Sequence, residues 1–186
     1  MDILNNTIAF GNQHKGKLGA IIMWAPSTGG MNVSDSIIAN NIFYGVNTAA
    51  IWMGASGKGP ARFANVRISN NIVSNGVLLA TKENIDASGL ILADNLEKTD
   101  PKFVDPAAFD FRLRSDSPAI DAGLTLSGPA NDYDGRARPR GGRVDIGAYE
   151  YPDSSSRTAR LRAKSKAKPS NSSKAVNSNH LQGANQ

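Results

Sequence analysis

The chain has 186 residues, 40% of them hydrophobic, with 18 glycines, nine prolines and no cysteine. That length suits one domain with a tail, and the missing cysteine excludes a disulfide framework and any thiolate metal site. The formal net charge of +5 is unevenly spread: residues 152–186 carry seven Lys/Arg against one acid, whereas residues 1–151 carry 14 Lys/Arg against 15 acids.

Residues 1–99 read as the coils of a solenoid. Asn5-Asn6, Asn40-Asn41 and Asn70-Asn71 each precede apolar residues, and Asp94-Asn95 is a fainter copy. The second members step by 35, 30 and 24 residues, within the range of stacked repeats. After each pair comes a second apolar run: GAIIMW, AAIWMG and GVLLAT. These runs are strand-like, and loops such as PSTGGMN and GASGKGPA account for the unequal steps. Asn tolerates turn conformations, and its amide both donates and accepts. Asn6, Asn41, Asn71 and Asn95 are therefore expected to form a structural ladder running through a parallel β-helix.

Residues 100–151 differ in character. FDFRLR at 109–114 alternates as a strand does. SPAIDAG at 117–123 predicts a single helical turn, with a Ser cap, Pro at the first position and Gly at the stop. DYDG and RGGR predict turns, and VDIGAYEY at 144–151 a closing strand. Arg136, Arg138, Arg140 and Arg143 are expected to balance Asp121, Asp132, Asp134 and Asp145 in a salt-bridged cap. Residues 152–186 are rich in Ser, Lys, Asn and Ala and poor in large apolar residues, which predicts disorder.

DPKFVDPAAFDFRLRSDSPAIDAG followed by DYDGRARPRGGRVDIGAYEY resembles the C-terminal part of choice-of-anchor Q domain proteins, in the pectin-lyase-like superfamily. The resemblance covers residues 100–151, and the Asn-pair coils fit the same superfamily. It implies an all-β fold: the last three to four coils of a right-handed parallel β-helix (1–99), a cap of short strands (100–151) and a disordered tail (152–186). It also implies an extracellular or cell-surface location and association with polysaccharide. MDILNNTIAFGN has neither the basic start nor the apolar stretch of a signal peptide. The chain is thus expected to be the C-terminal portion of a longer exported protein, monomeric when upstream coils are present.

For function, the expectation is a protein that binds or presents a polysaccharide. The alternatives are a polyuronate lyase and a structural stalk without catalysis. Hydrolysis needs two carboxyl groups at one sugar bond, and residues 1–80 hold only Asp2 and Asp35. The same segment holds Lys15, Lys17, Lys58, Arg62 and Arg67, an excess that could attract an anionic glycan. Arg67 is the catalytic candidate for a lyase, with a solvated surface arginine as the preferred alternative.

Trp24, Trp52, Lys58 and Arg62 are the binding candidates. If AIIM and AIWM align, Ile22 and Trp52 share a face with Leu78 below. That face is either a sugar-stacking platform or, preferably, packing beneath the loop at 54–61. His14 and His180 are too few for a histidine metal site. Asp132-Tyr133-Asp134-Gly135 opens like a calcium loop but continues with Arg136 and lacks the closing Glu. No cofactor is expected, and calcium is unsupported. The basic tail has no aromatic residue, so no specific nucleic-acid binding is expected. No apolar run approaches the roughly 18–20 residues of a membrane span.

Overall fold

The computed structural model describes residues 1–10, 19–25, 32–55, 61–81 and 85–152. His14, Lys15, Lys17, Lys58, Glu83 and all of the tail except Pro152 lie outside the described residues. The architecture is all-β and solenoid-like. The described residues make four circuits. The first contains β1 (Asp2–Leu4), β2 (Thr7–Ala9) and β3 (Ile21–Ala25). The second contains β4 (Asn32–Ala39), β5 (Ile42–Tyr44) and β6 (Ala49–Ala55). The third contains β7 (Ala61–Ser69), β8 (Ile72–Val73) and β9 (Val77–Thr81). The fourth contains β10 (Ile85–Asp86), β11 (Leu90–Ala93) and β12 (Leu96–Glu97). Each circuit lies parallel on the one before. This builds three sheets: β1-β4-β7 with β10 and β11 both on β7, then β2-β5-β8-β12, then β3-β6-β9.

Register explains the apolar pattern. Ile3, Ile38, Ile68 and Leu92 form one inward row, and Ile8, Phe43, Val73 and Glu97 another. In the third sheet Ile21, Ile51 and Leu79 align. Ile38, Phe43, Ile51, Phe63, Val66, Ile68 and Val73 are wholly buried, each worth about 1.5–3 kcal/mol of hydrophobic stabilisation. The bend between the first two sheets is made by the first residue of each pair. Asn5, Asn40, Asn70 and Asp94 have φ of 56°, 59°, 52° and 53°, a left-handed conformation that Asn and Asp adopt more readily than other side chains.

The outer side of the second sheet is covered as well. Ile42 and Ile72 pack with Phe103, Leu113, Ala119 and Ile146 in a second core. Strands buried on both sides read as unbroken apolar runs, as IFY and IV do here. The covering residues follow the last circuit. β13 (Phe103–Asp105) and β14 (Asp110–Leu113) form an antiparallel hairpin around a 3-10 turn at Pro106–Ala108.

Three expectations are corrected. SPAIDAG forms successive turns, with Ile120 N–H donating to Ser117 O and Ala122 N–H to Ala119 O, and no helix. Residues 144–151 are not a strand, because their N–H groups donate to side-chain oxygens and isolated carbonyls instead of a ladder. Leu78 is in the core, and the residue aligned with Trp52 is Ala80.

Candidate functional site

The described circuits carry two rows of amides and, on the third sheet, a stacked aromatic pair. In the inner row, Asn6 donates to Asn41 Oδ1 through its backbone N–H (3.0 Å) and its Nδ2 (3.1 Å). Asn41 donates likewise to Asn71 Oδ1 (3.0 and 2.9 Å), and Asn71 to Asn95 Oδ1 (3.0 and 2.9 Å). Nδ2 of Asn41, Asn71 and Asn95 also reaches back to the carbonyls of Ile3, Ile38 and Ile68. Asn41 and Asn71 are wholly buried, so their hydrogen-bonding capacity is committed within the fold.

The outer row has a role that sequence reasoning missed. Asn40 clamps Leu124, accepting from its N–H at 2.7 Å and donating to its carbonyl at 2.8 Å. Asn70 donates to Ala122 O, and Asn5 to Asp145 O. The first Asn of each pair thus holds the closing segment against the flank of the stack. The available signal was the doubling itself: one amide per circuit suffices for a ladder, and the neighbour points the other way.

The closing segment is held by carboxylates that accept from backbone N–H groups. Glu150, buried, pairs with Arg138 at 2.7 Å and accepts from the N–H groups of Asp145 and Arg140. Asp145 accepts from the N–H groups of Asp121 and Tyr151, and Asp132 from those of Arg136 and Glu150. The expected pairing of Arg138 with an aspartate is corrected: its partner is Glu150. Arg136 pairs with Asp132 and Asp134, whereas Arg143 engages Asp121 through its backbone N–H and donates its Nε to Gly123 O. Burial pushes the Asp145 carboxyl up to about 6, against the two N–H bonds that it accepts, and the charges of Glu150 and Asp121 add to the rise. These carboxylates are structural acceptors. Among the described residues no three His, Cys, Asp or Glu side chains converge as a metal site.

Trp24 and Trp52 stack with centroids 5.2 Å apart and planes within 11°. Trp52 aligns with Ile22, and Trp24 with Gly54. Gly54 is what admits the pair: a Cβ there would lie 2.3 Å from Trp52 Cη2 and 2.9 Å from Trp24 Cζ3. Trp24 and Ile22 are 42% and 48% exposed, so the pair meets solvent.

The basic candidates lie elsewhere. Arg62 and Arg67 are on β7, in the first sheet, while both indoles are in the third. Arg62 pairs with Asp86 at 3.4 Å. Arg67 sits on the outer face between the core residues Val66 and Ile68, aligned with Ile37 and Ile91, and its Nε donates to Ser69 Oγ. The fold therefore brings Trp24 and Trp52 together and leaves Arg62 and Arg67 on a separate sheet. Among the described residues no helix is long and apolar enough to cross a membrane. No family model, curated protein or solved structure matches the chain.

Proposed function

We propose that the chain belongs to a right-handed parallel β-helix protein of the choice-of-anchor Q type, which binds or presents a polysaccharide outside the cell or at its surface. The supporting observation is the Trp24–Trp52 stack, exposed on the outside of β3 and β6 and accommodated by Gly54. Indole faces suit the CH faces of sugars, and large aromatics left in water on a rigid strand mark interaction sites. The parallel passes, the two amide rows and the closing segment support the β-helix assignment. They are devices that stack short strands while pairing most of the buried polar groups.

Binding is favoured over chemistry by the state of the acids and bases. Arg62 is neutralised by Asp86, and Arg67 is hydrogen-bonded to Ser69 with apolar neighbours in its row. A lyase would need a cation and a proton acceptor at one uronate. The test is electrophoresis of the purified chain in native gels cast with a panel of soluble polysaccharides. Retardation by at least one of them is expected, and it should be weakened about tenfold or more in Trp24→Ala. Unretarded migration in every gel would overturn the reading. Steady release of unsaturated uronate products, lost in Arg67→Ala, would replace it with the lyase.

A further inference from the structure

We infer that the pocket beside Asn70 is a binding site for one neutral, hydroxylated sugar unit. The site goes beyond the tryptophan reading and stands on other residues. Its starting point is an orphan atom. Asn70 is only 6% exposed, and its Oδ1 accepts no hydrogen bond from the described residues. One circuit earlier, Asn40 holds the same place in the row and accepts from the Leu124 N–H at 2.7 Å. Asn70 meets the closing segment at Ala122, where it donates its Nδ2 to the carbonyl. The Ala122 N–H is already held by Ala119 O, and the Gly123 N–H by Val144 O. The acceptor is therefore open for a physical reason. A buried acceptor left empty is unfavourable and uncommon in native folds.

Asn70 lines a pocket of about 400 Å³ with Asp94, Leu96, Ala122, Arg143 and Ile146. Small-ligand sites begin at roughly 300 Å³. Leu96, Ala122 and Ile146 give the pocket an apolar wall that suits the CH face of a sugar. The polar groups select the ligand by what each can do. Asn70 Oδ1 and the Asp94 carboxylate accept, whereas the Arg143 guanidinium only donates. Arg143 donates its Nε to Gly123 O, which fixes its stem beside the pocket and leaves its terminal amino groups for a ligand. A guest that suits all three must donate at two points and accept at a third, as neighbouring hydroxyl groups do. A carboxylate or phosphate donates nothing to Asn70 and is repelled by Asp94. An ammonium accepts nothing from Arg143. The charged groups of the lining, one of each sign, balance, so a neutral sugar is the class that fits.

The test is a titration of the isotope-labelled full chain with glucose, galactose, mannose and xylose, followed by NMR at the Asn70 side-chain amide and the Leu96 and Ile146 methyls. Saturable shifts at these groups are expected with at least one of the sugars. The apparent affinity should fall at least tenfold in both Asp94→Gly and Arg143→Met, since each loses a hydrogen bond to a charged group. Glycine takes the φ of 53° at position 94 without strain, so circular dichroism of Asp94→Gly should match the parent. If Arg143→Met unfolds for want of its bond to Gly123 O, Asp94→Gly carries the test alone. Shifts confined to the indole signals of Trp24 and Trp52 would overturn the inference and leave the glycan-binding reading standing. Pocket signals unmoved by 100 mM of every sugar would mean that water alone fills the Asn70 acceptor, and would overturn it as well. So would pocket shifts that persist undiminished in the folded variants.

Discussion

At the scale of single residues, the inner amides do more than occupy a turn. Asn71 accepts twice from Asn41 and donates to Ile38 and Ser69, all without access to water, and donates to the half-buried Asn95. Asn71→Ala leaves the Asn41 N–H buried without a partner, at about 1–3 kcal/mol, and removes the side-chain bonds to Asn41, Ile38 and Asn95, at about 1 kcal/mol each. A loss of roughly 3–5 kcal/mol in urea-induced unfolding is therefore expected. Asn95→Ala removes bonds of the same kind at the half-buried end of the row, where water can replace them, and should cost about 1 kcal/mol. Equal losses for the two variants would refute a buried ladder. The row was legible in the sequence because one residue type recurred at one place in each repeat. The work of Asn5, Asn40 and Asn70 was not legible, since their partners Asp145, Leu124 and Ala122 lie between 52 and 140 residues away. No local pattern encodes a contact of that separation.

Individual elements carry devices that depend on register. Gly54 is the position facing Trp24, and its missing Cβ leaves the space that the two indoles occupy. Gly54→Ala should separate the rings, changing the near-ultraviolet circular dichroism and the tryptophan emission while the far-ultraviolet spectrum stays that of the parent. Unaltered indole signals would show that the rings can pair without the gap. The alignment of AIIM with AIWM was readable from their shared pattern. The pairing of Trp52 with Ala80 was not, because VLLAT is apolar along its length and its alternation does not select one register.

β12 ends the second sheet with a contradiction of the pattern. Its row runs Ile8, Phe43, Val73 and then Glu97, which accepts from the Leu78 N–H at 2.8 Å. An inward charge on a terminal strand discourages a further strand from adding there. Glu97→Val should make the chain self-associate, seen as a concentration-dependent rise in scattering mass. Monodisperse behaviour at millimolar concentration would show that Glu97 is not the barrier.

At the scale of the whole described body, the segment after β14 returns along the flank and ties the circuits together. Its contacts run from Asn70 through Asn40 to Asn5 and Thr7. Hence the body depends on a cluster of buried carboxylates, and its stability should carry their titration. Asp145 is the informative member, with a folded value of about 6 raised chiefly by burial, against an unfolded value near 3.9. Between those two values the folded state holds the extra proton, so this group's contribution is fully present below pH ~4 and is lost as pH rises through ~6. The loss is on the order of 3 kcal/mol, because each tenfold difference in proton affinity between the folded and unfolded chain is worth about 1.4 kcal/mol. Asp132 works in the opposite sense. Burial would raise it, but the N–H groups of Glu150 and Arg136 and the Arg136 charge hold it below the usual carboxylate range. Its stabilisation is therefore lost only in stronger acid, below pH ~4. Urea midpoints should be highest near pH 4.5 and fall towards pH 7. Asp145→Asn should flatten that slope and leave the acid limb. A midpoint that instead rises steadily from pH 4.5 to 7 would mean that Asp145 is ionised throughout, held by the N–H groups of Asp121 and Tyr151 against the neighbouring charge of Glu150.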